Sequence, residues 1–210
     1  MKRLLYTMSM ASVAAAVFLL CGCPQEMPWI PILVENADFS LPDPGSDTLL
    51  SMATMPGWEM DSWAGRVQYK LGEFAAFADR HDGGEGNGFT QTLDATYESG
   101  GYRLSVMSGS WNTAIESRII LGYIEDTNAI VLASSDLSPS TTENPDWHLP
   151  IYWDSQILLI TMDENDTAFG KPIWIRLTGL TDVDDLVPTF YDDFNLWDDV
   201  RLEMRDTTVE

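Results

Sequence analysis

The chain has 210 residues, with 33 acidic side chains against 11 lysines and arginines, a formal net charge of −22, and only two histidines and two cysteines. So acidic a surface repels a phosphate backbone, which excludes nucleic acid as a default partner, and two histidines are too few for a His-rich zinc site or paired-imidazole catalysis. The acid excess reads first as a solvated, aggregation-resistant surface, with a saline habitat or hard cations as the functional alternatives.

Lys2 and Arg3 precede an almost uncharged stretch, residues 4–20, which ends in small residues and predicts a secretory signal over 1–22. Leu20, Cys21, Gly22 and Cys23 together resemble the bacterial lipobox. That resemblance implies that Cys23 becomes the lipidated first residue of the mature protein and that Cys21 leaves with the signal. The frame on Cys21 is disfavoured because it puts bulky Leu20 where the peptidase wants a small side chain. A disulfide between Cys21 and Cys23 would close a very tight, strained loop. An uncleaved anchor is the other alternative, since the apolar run of roughly 17 residues lies at the lower edge of a membrane span. Each reading puts the domain outside the cytoplasm, at a bacterial cell envelope. Pro24 stands where Asp usually retains a lipoprotein at the inner membrane, so the outer membrane or cell surface is expected. Loss of the signal leaves nine basic residues against the same 33 acids, about −24, and no thiol beyond Cys23 for a disulfide framework, a nucleophile or a thiolate metal site.

Residues 23–34 begin "CPQEMPWIP", whose three prolines in nine residues predict a Pro-rich tether off the membrane. A single domain is expected over 35–205, followed by a tail at 206–210. Within it, turn signals recur at 42–47, 55–57, 81–88, 98–101, 137–145 and 163–172, between short apolar runs. Those runs predict strands at 66–70, 88–93, 101–108, 117–125, 128–134, 155–162, 172–179 and 195–204. Alternation is plain in Tyr102, Leu104 and Val106, and again in Ile173, Ile175 and Leu177, which puts Trp174 on an outer face. A hairpin is expected at residues 126–128. Residues 72–80, "GEFAAFADR", space Phe74 and Phe77 by three and read as a helical turn or an irregular loop. "DENDTAFG", at 163–170, resembles a calcium-binding EF-hand loop only superficially, because Thr167 and Ala168 replace the needed oxygen ligand and glycine, so a turn is expected. The class is an all-β sandwich.

Several stretches, in order, resemble the jelly-roll modules of the galactose-binding-like superfamily, carbohydrate-binding modules among them. They are "ENADFSLPDPG" and "MPGWEM", then "GGEGNGFTQTL" and "ESGGYRLSV", then "GKPIWIRLTG" and "LWDDVRL". The resemblance covers residues 35–204 and implies a jelly-roll β-sandwich of two antiparallel sheets. It also implies a structural calcium tying the first strand to the last, through hard oxygen ligands. Asp198 matches the closing Asp of the motif and Asp199 the Asn after it. Ser40 stands in place of the opening Glu, with Glu35, Asn36 and Asp38 nearby to compensate and Asp82 a further candidate. The alternative is that Asp198 and Asp199 alternate on an edge strand with no metal.

Sugar rings stack on exposed indole while neighbouring carboxylates and amides fix their hydroxyl groups. Of eight tryptophans, Trp111 beside Asn112, Trp147 beside Asp146, and Trp153 beside Asp154 form the candidate glycan-contacting set, against a reading of each as core or rim packing. Trp58 and Trp197 fall in the family motifs and are expected in the core. The same fold is similar to calcium-dependent cyclases of cyanobacterial alkaloid synthesis, so an enzyme stays in view. Asp192 and Asp193, however, would point to opposite faces of a strand, and no nucleophile elbow, zinc helix or phosphate loop is present. The expectation is a non-catalytic, surface-anchored carbohydrate-binding module. The alternatives are a structural or adhesive envelope lipoprotein that binds a protein partner, and, less favoured, a calcium-dependent enzyme.

Overall fold

The computed structural model describes residues 27–41, 50–51, 54–61, 64–70, 73–79, 87–111, 116–138, 141–142, 152–180 and 194–207, with no helix among them. In chain order the strands are β1 (Ile30–Ile32), β2 (Leu50–Ser51), β3 (Glu59–Met60), β4 (Ala64–Lys70), β5 (Glu73–Asp79), β6 (Gly88–Thr96) and β7 (Gly100–Trp111). They continue with β8 (Glu116–Glu125), β9 (Asn128–Leu137), β10 (Thr141–Thr142), β11 (Asp154–Met162), β12 (Pro172–Leu180) and β13 (Phe194–Arg205). All eight runs picked out by alternation and β-rich composition are strands.

Two antiparallel sheets pack as a jelly-roll sandwich. In the first, β7 lies between β13 and the pair β11 and β10, while β5 and β1 flank the far side of β13, and β4 and β2 follow β5. The second runs β3, β6, β12, β8, β9. Only the short contact of β10 with β7 is parallel among these strand pairs. β8 and β9 form the expected hairpin, with Asp126 in the left-handed region at φ 57, which Asp tolerates because its short side chain bonds locally.

The inner faces of both sheets supply the main core. Tyr102, Leu104 and Val106 from β7 meet Ile173, Ile175 and Leu177 from β12. The motifs that carry the family resemblance converge there. Phe39 packs on Trp58 at 5.3 Å and on Phe89 at 5.9 Å, and Phe89 meets Trp197 edge-on at 6.0 Å. Trp58 and Trp197 are buried, as expected. The turn at 163–170 is closed by its own side chains, with Asn165 N donating to Asp163 Oδ1 at 2.7 Å and Asp163 N to Asp166 Oδ2 at 2.7 Å.

Three expectations need correction or refinement. Residues 72–80 hold neither a helical turn nor a loop: Glu73–Asp79 is a strand paired with both β4 and β13. Ala76 and Ala78 face the main core while Ala75 and Phe77 are buried on the opposite side, so the apolar pattern has no polar face to mark a period of two. Within the stretch 23–34 expected as a tether, Ile30–Ile32 is a strand that pairs with β13 from Met204 to Leu202. Pro31 is accommodated because β1 pairs only on that side, and Trp29 just before it is held between the guanidinium groups of Arg103 and Arg205, 4.6 and 4.7 Å from its ring. Trp174 does point away from the core, yet it is buried, lying over Gly122 on the neighbouring β8.

That last contact gives a sharp test. A Cβ at Gly122 would sit 2.2 Å from the carbonyl oxygen of Ile130 and 2.9 Å from the Trp174 ring. Backbone cannot yield as a flexible side chain can, so Gly122→Ala is expected to destabilise the domain by about 2 kcal/mol or more in urea unfolding.

Candidate functional site

Strand alternation on β13, β5 and β4 produces a second apolar layer. Trp197, Ala76, Ala78 and Ala64 face the main core, whereas Phe194, Leu196, Ala75, Phe77 and Val67 cluster on the outer face of the first sheet. The register sets Gly109, Leu196, Phe77 and Gly65 side by side on β7, β13, β5 and β4. A glycine at each flank leaves Leu196 and Phe77 as the two side chains of that row, next to each other. Phe77 meets Phe194 edge-on at 5.1 Å.

Trp153, half-buried, packs against this cluster from the entry to β11, with exposed Tyr152 beside it. One step along the sheet, Ser155, Met107 and Asp198 form the next row. Asp198 therefore stands on the outer face next to the apolar floor, with Oδ1 accepting from the Asp199 amide at 2.7 Å. Further along β11, Ile157 and Leu159 alternate with buried Gln156 and Leu158 and stay exposed on the same outer side. Phe77, Phe194 and Leu196 are themselves buried, so the open part of this face is the apolar strip of Ile157 and Leu159, edged by the Trp153 indole and the Asp198 carboxylate. Such a surface can stack a flat or ring-shaped ligand and hold one of its polar groups.

Of the candidate glycan-contacting residues, Trp153 reaches this face and Asp154 opens β11 opposite Ser108, half-buried. Trp111 closes β7 in register with Phe194. Asn112, Asp146 and Trp147 lie outside the described residues, as do Cys23, the signal at 1–22, Asp82, Asp192 and Asp193. Sequence reasoning missed Phe77, Phe194 and Leu196 altogether, and assigned Asp198 to a metal alone. A signal did exist: Phe74 to Ala78 are apolar at consecutive positions, as a strand covered on both faces must be, and "FNLW" is interrupted only by Asn195.

The candidate calcium ligands are placed as follows. Asp38 Oδ1 accepts from the amide and the hydroxyl of Ser40, at 3.2 and 2.9 Å. Asp199 sits at a register break in β13, with φ 49, and forms an ion pair with Arg201 at 2.6 Å, which raises the Arg201 pKa. Glu35 exchanges two backbone hydrogen bonds with the Gln91 amide, both 2.9 Å. Among the described residues, no three His, Cys, Asp or Glu side chains are gathered so as to hold a metal.

No family model matches the sequence, and no curated protein matches it either. The fold is shared with solved structures. A Stig cyclase from Fischerella sp. TAU, in complex with a substituted indole, superposes with a TM-score of 0.60 at 17% identity, covering 85% of this chain and 99% of the cyclase. The apo form of a cyclase from Fischerella sp. gives 0.61 at 20% identity, with 84% and 97% covered. The CBM22-1 and GH10 modules of a Clostridium thermocellum xylanase, complexed with xylohexaose, give 0.47 at 16% identity, with 73% and 27% covered. The class defined is the jelly-roll β-sandwich, a fold shared with the cyclases.

Proposed function

We propose that the protein is a non-catalytic binding module, held at the bacterial cell envelope through Cys23, that takes carbohydrate on the outer face of its first sheet. The observation that carries the reading is the exposed apolar strip of Ile157 and Leu159 on β11, headed by half-buried Trp153 and flanked by the carboxylate of Asp198, over the buried cluster of Leu196, Phe77 and Phe194. The C–H face of a sugar stacks on indole while its hydroxyl groups bond to carboxylate.

The test uses the chain from residue 24 onward, which keeps Trp29 and β1, against a panel of immobilised polysaccharides. Retention on one chemical class that is lost in Trp153→Ala is the expected result. A well-folded protein retained on none of them overturns the reading and points to an adhesive lipoprotein with a protein partner. A second reading, catalysis on a small aromatic molecule, draws support from the full-length likeness to cyclases and from the aromatic character of the same cluster. Saturable binding of a substituted indole that competes with the polysaccharide would favour it.

A further inference from the structure

The turn at residues 35–41 is wound tightly, with Asn36 and Phe39 both in the left-handed region at φ 48 and 51. Such a winding turns carbonyl groups inward, and donors from other parts of the chain meet them. Gln91 Nε2 donates to Glu35 O at 2.9 Å, Trp58 Nε1 to Asn36 O at 3.2 Å, and the Val200 amide to Ala37 O at 3.0 Å. The carbonyls of Phe39 and Ser40 face a charge, while that of Leu41 accepts from Asn36 Nδ2 at 3.1 Å. Arg66, only 2% exposed, donates from Nη1 to Ser40 O at 3.1 Å and has the same nitrogen 3.5 Å from Phe39 O. Its guanidinium carbon lies 4.8 Å from the centre of the Phe74 ring.

A buried guanidinium is tolerated only where acceptors replace its water. Two successive carbonyl oxygens at Nη1 and an aromatic face supply part of that replacement, and neutral oxygens of this kind are also what a hard cation would seek. Among the described residues no three acidic side chains gather at the turn: Asp38 accepts from Ser40, Asp198 from the Asp199 amide, Asp199 pairs with Arg201, and Ser40 brings no charge of its own where the family motif has Glu. The donor set at the turn therefore does not fit calcium. We infer that the buried Arg66 guanidinium supplies the positive charge that fastens the opening turn to the sandwich, the task that the family resemblance gives to calcium. The fold then stands without a divalent ion.

Thermal unfolding of the full-length protein in detergent tests this. The melting temperature is expected to be the same in EDTA and in calcium; a fall in EDTA that calcium restores overturns the inference. Arg66→Met is expected to lower the melting temperature by roughly 10 °C, and an unchanged value overturns the role of the side chain. Should that variant not fold, Arg66→Lys keeps the charge but not the planar fork. Amide hydrogen exchange at Phe39 and Leu41 is then expected to speed up at least tenfold, with β6 and β12 unchanged. Equal protection of the turn in Arg66→Lys and in the parent protein overturns the inference.

Discussion

Trp197→Ala is expected to cost about 3–5 kcal/mol, close to the whole stability of a marginal domain. The indole is fully buried at the centre of the main core, edge-on to Phe89. Its Nε1 donates to Ser117 Oγ at 2.7 Å, and Ser117 Oγ donates on to Gln156 Oε1 at 3.3 Å. Gln156 Nε2 in turn donates to the carbonyl oxygens of Ser117 and Ser135. Truncation opens a cavity that rigid strands cannot close and removes one donor from a buried polar network that joins the two sheets. Trp197→Phe keeps most of the volume and loses the donor, so a smaller loss of about 1–3 kcal/mol is expected. Urea unfolding of the two variants separates the cavity from the hydrogen bond. A Trp197→Phe variant as stable as the parent protein would mean that the network contributes nothing through Trp197.

The second large effect falls on binding and leaves folding nearly intact. Trp153 is half-buried at the margin of the outer cluster, so Trp153→Ala is expected to change stability by no more than about 1 kcal/mol. If the outer face is the ligand site, the same change removes the stacking surface. Affinity for the retained polysaccharide is then expected to fall by about 2 kcal/mol, roughly thirtyfold. Asp198→Asn keeps an oxygen for the Asp199 amide and removes the charge, and a loss of about 1 kcal/mol in affinity is expected. Calorimetric titration beside thermal unfolding reads both quantities. Unchanged affinity in both variants would move the site away from this face.

Glu73–Asp79 shows where sequence reasoning fails and why. Period two is visible only when one face of a strand is wet, and β5 is dry on both, so Phe74 and Phe77 looked like neighbours on a helix while pointing to opposite sides of a sheet. Ile30–Ile32 escaped for a different reason. Pro31 argues against a strand interior, and an edge partner cannot be foreseen locally. The metal candidates followed from resemblance alone, and the side chain that meets the opening turn, Arg66, lies in a predicted strand more than twenty residues away.

Turn chemistry and alternation were enough for eight strands and for the sandwich class, because each of these depends on which side of a single strand is wet, whereas the burial of Trp58 and Trp197 followed from the motifs that carry the family resemblance. The outer face depends on something else. Trp153, Asp198 and Phe77 share it only because β7 separates β11 from β13 and β5 pairs beyond, with Gly109 opposite Leu196. That register is set by long-range pairing and core packing, and no local pattern records which strand comes to lie beside which.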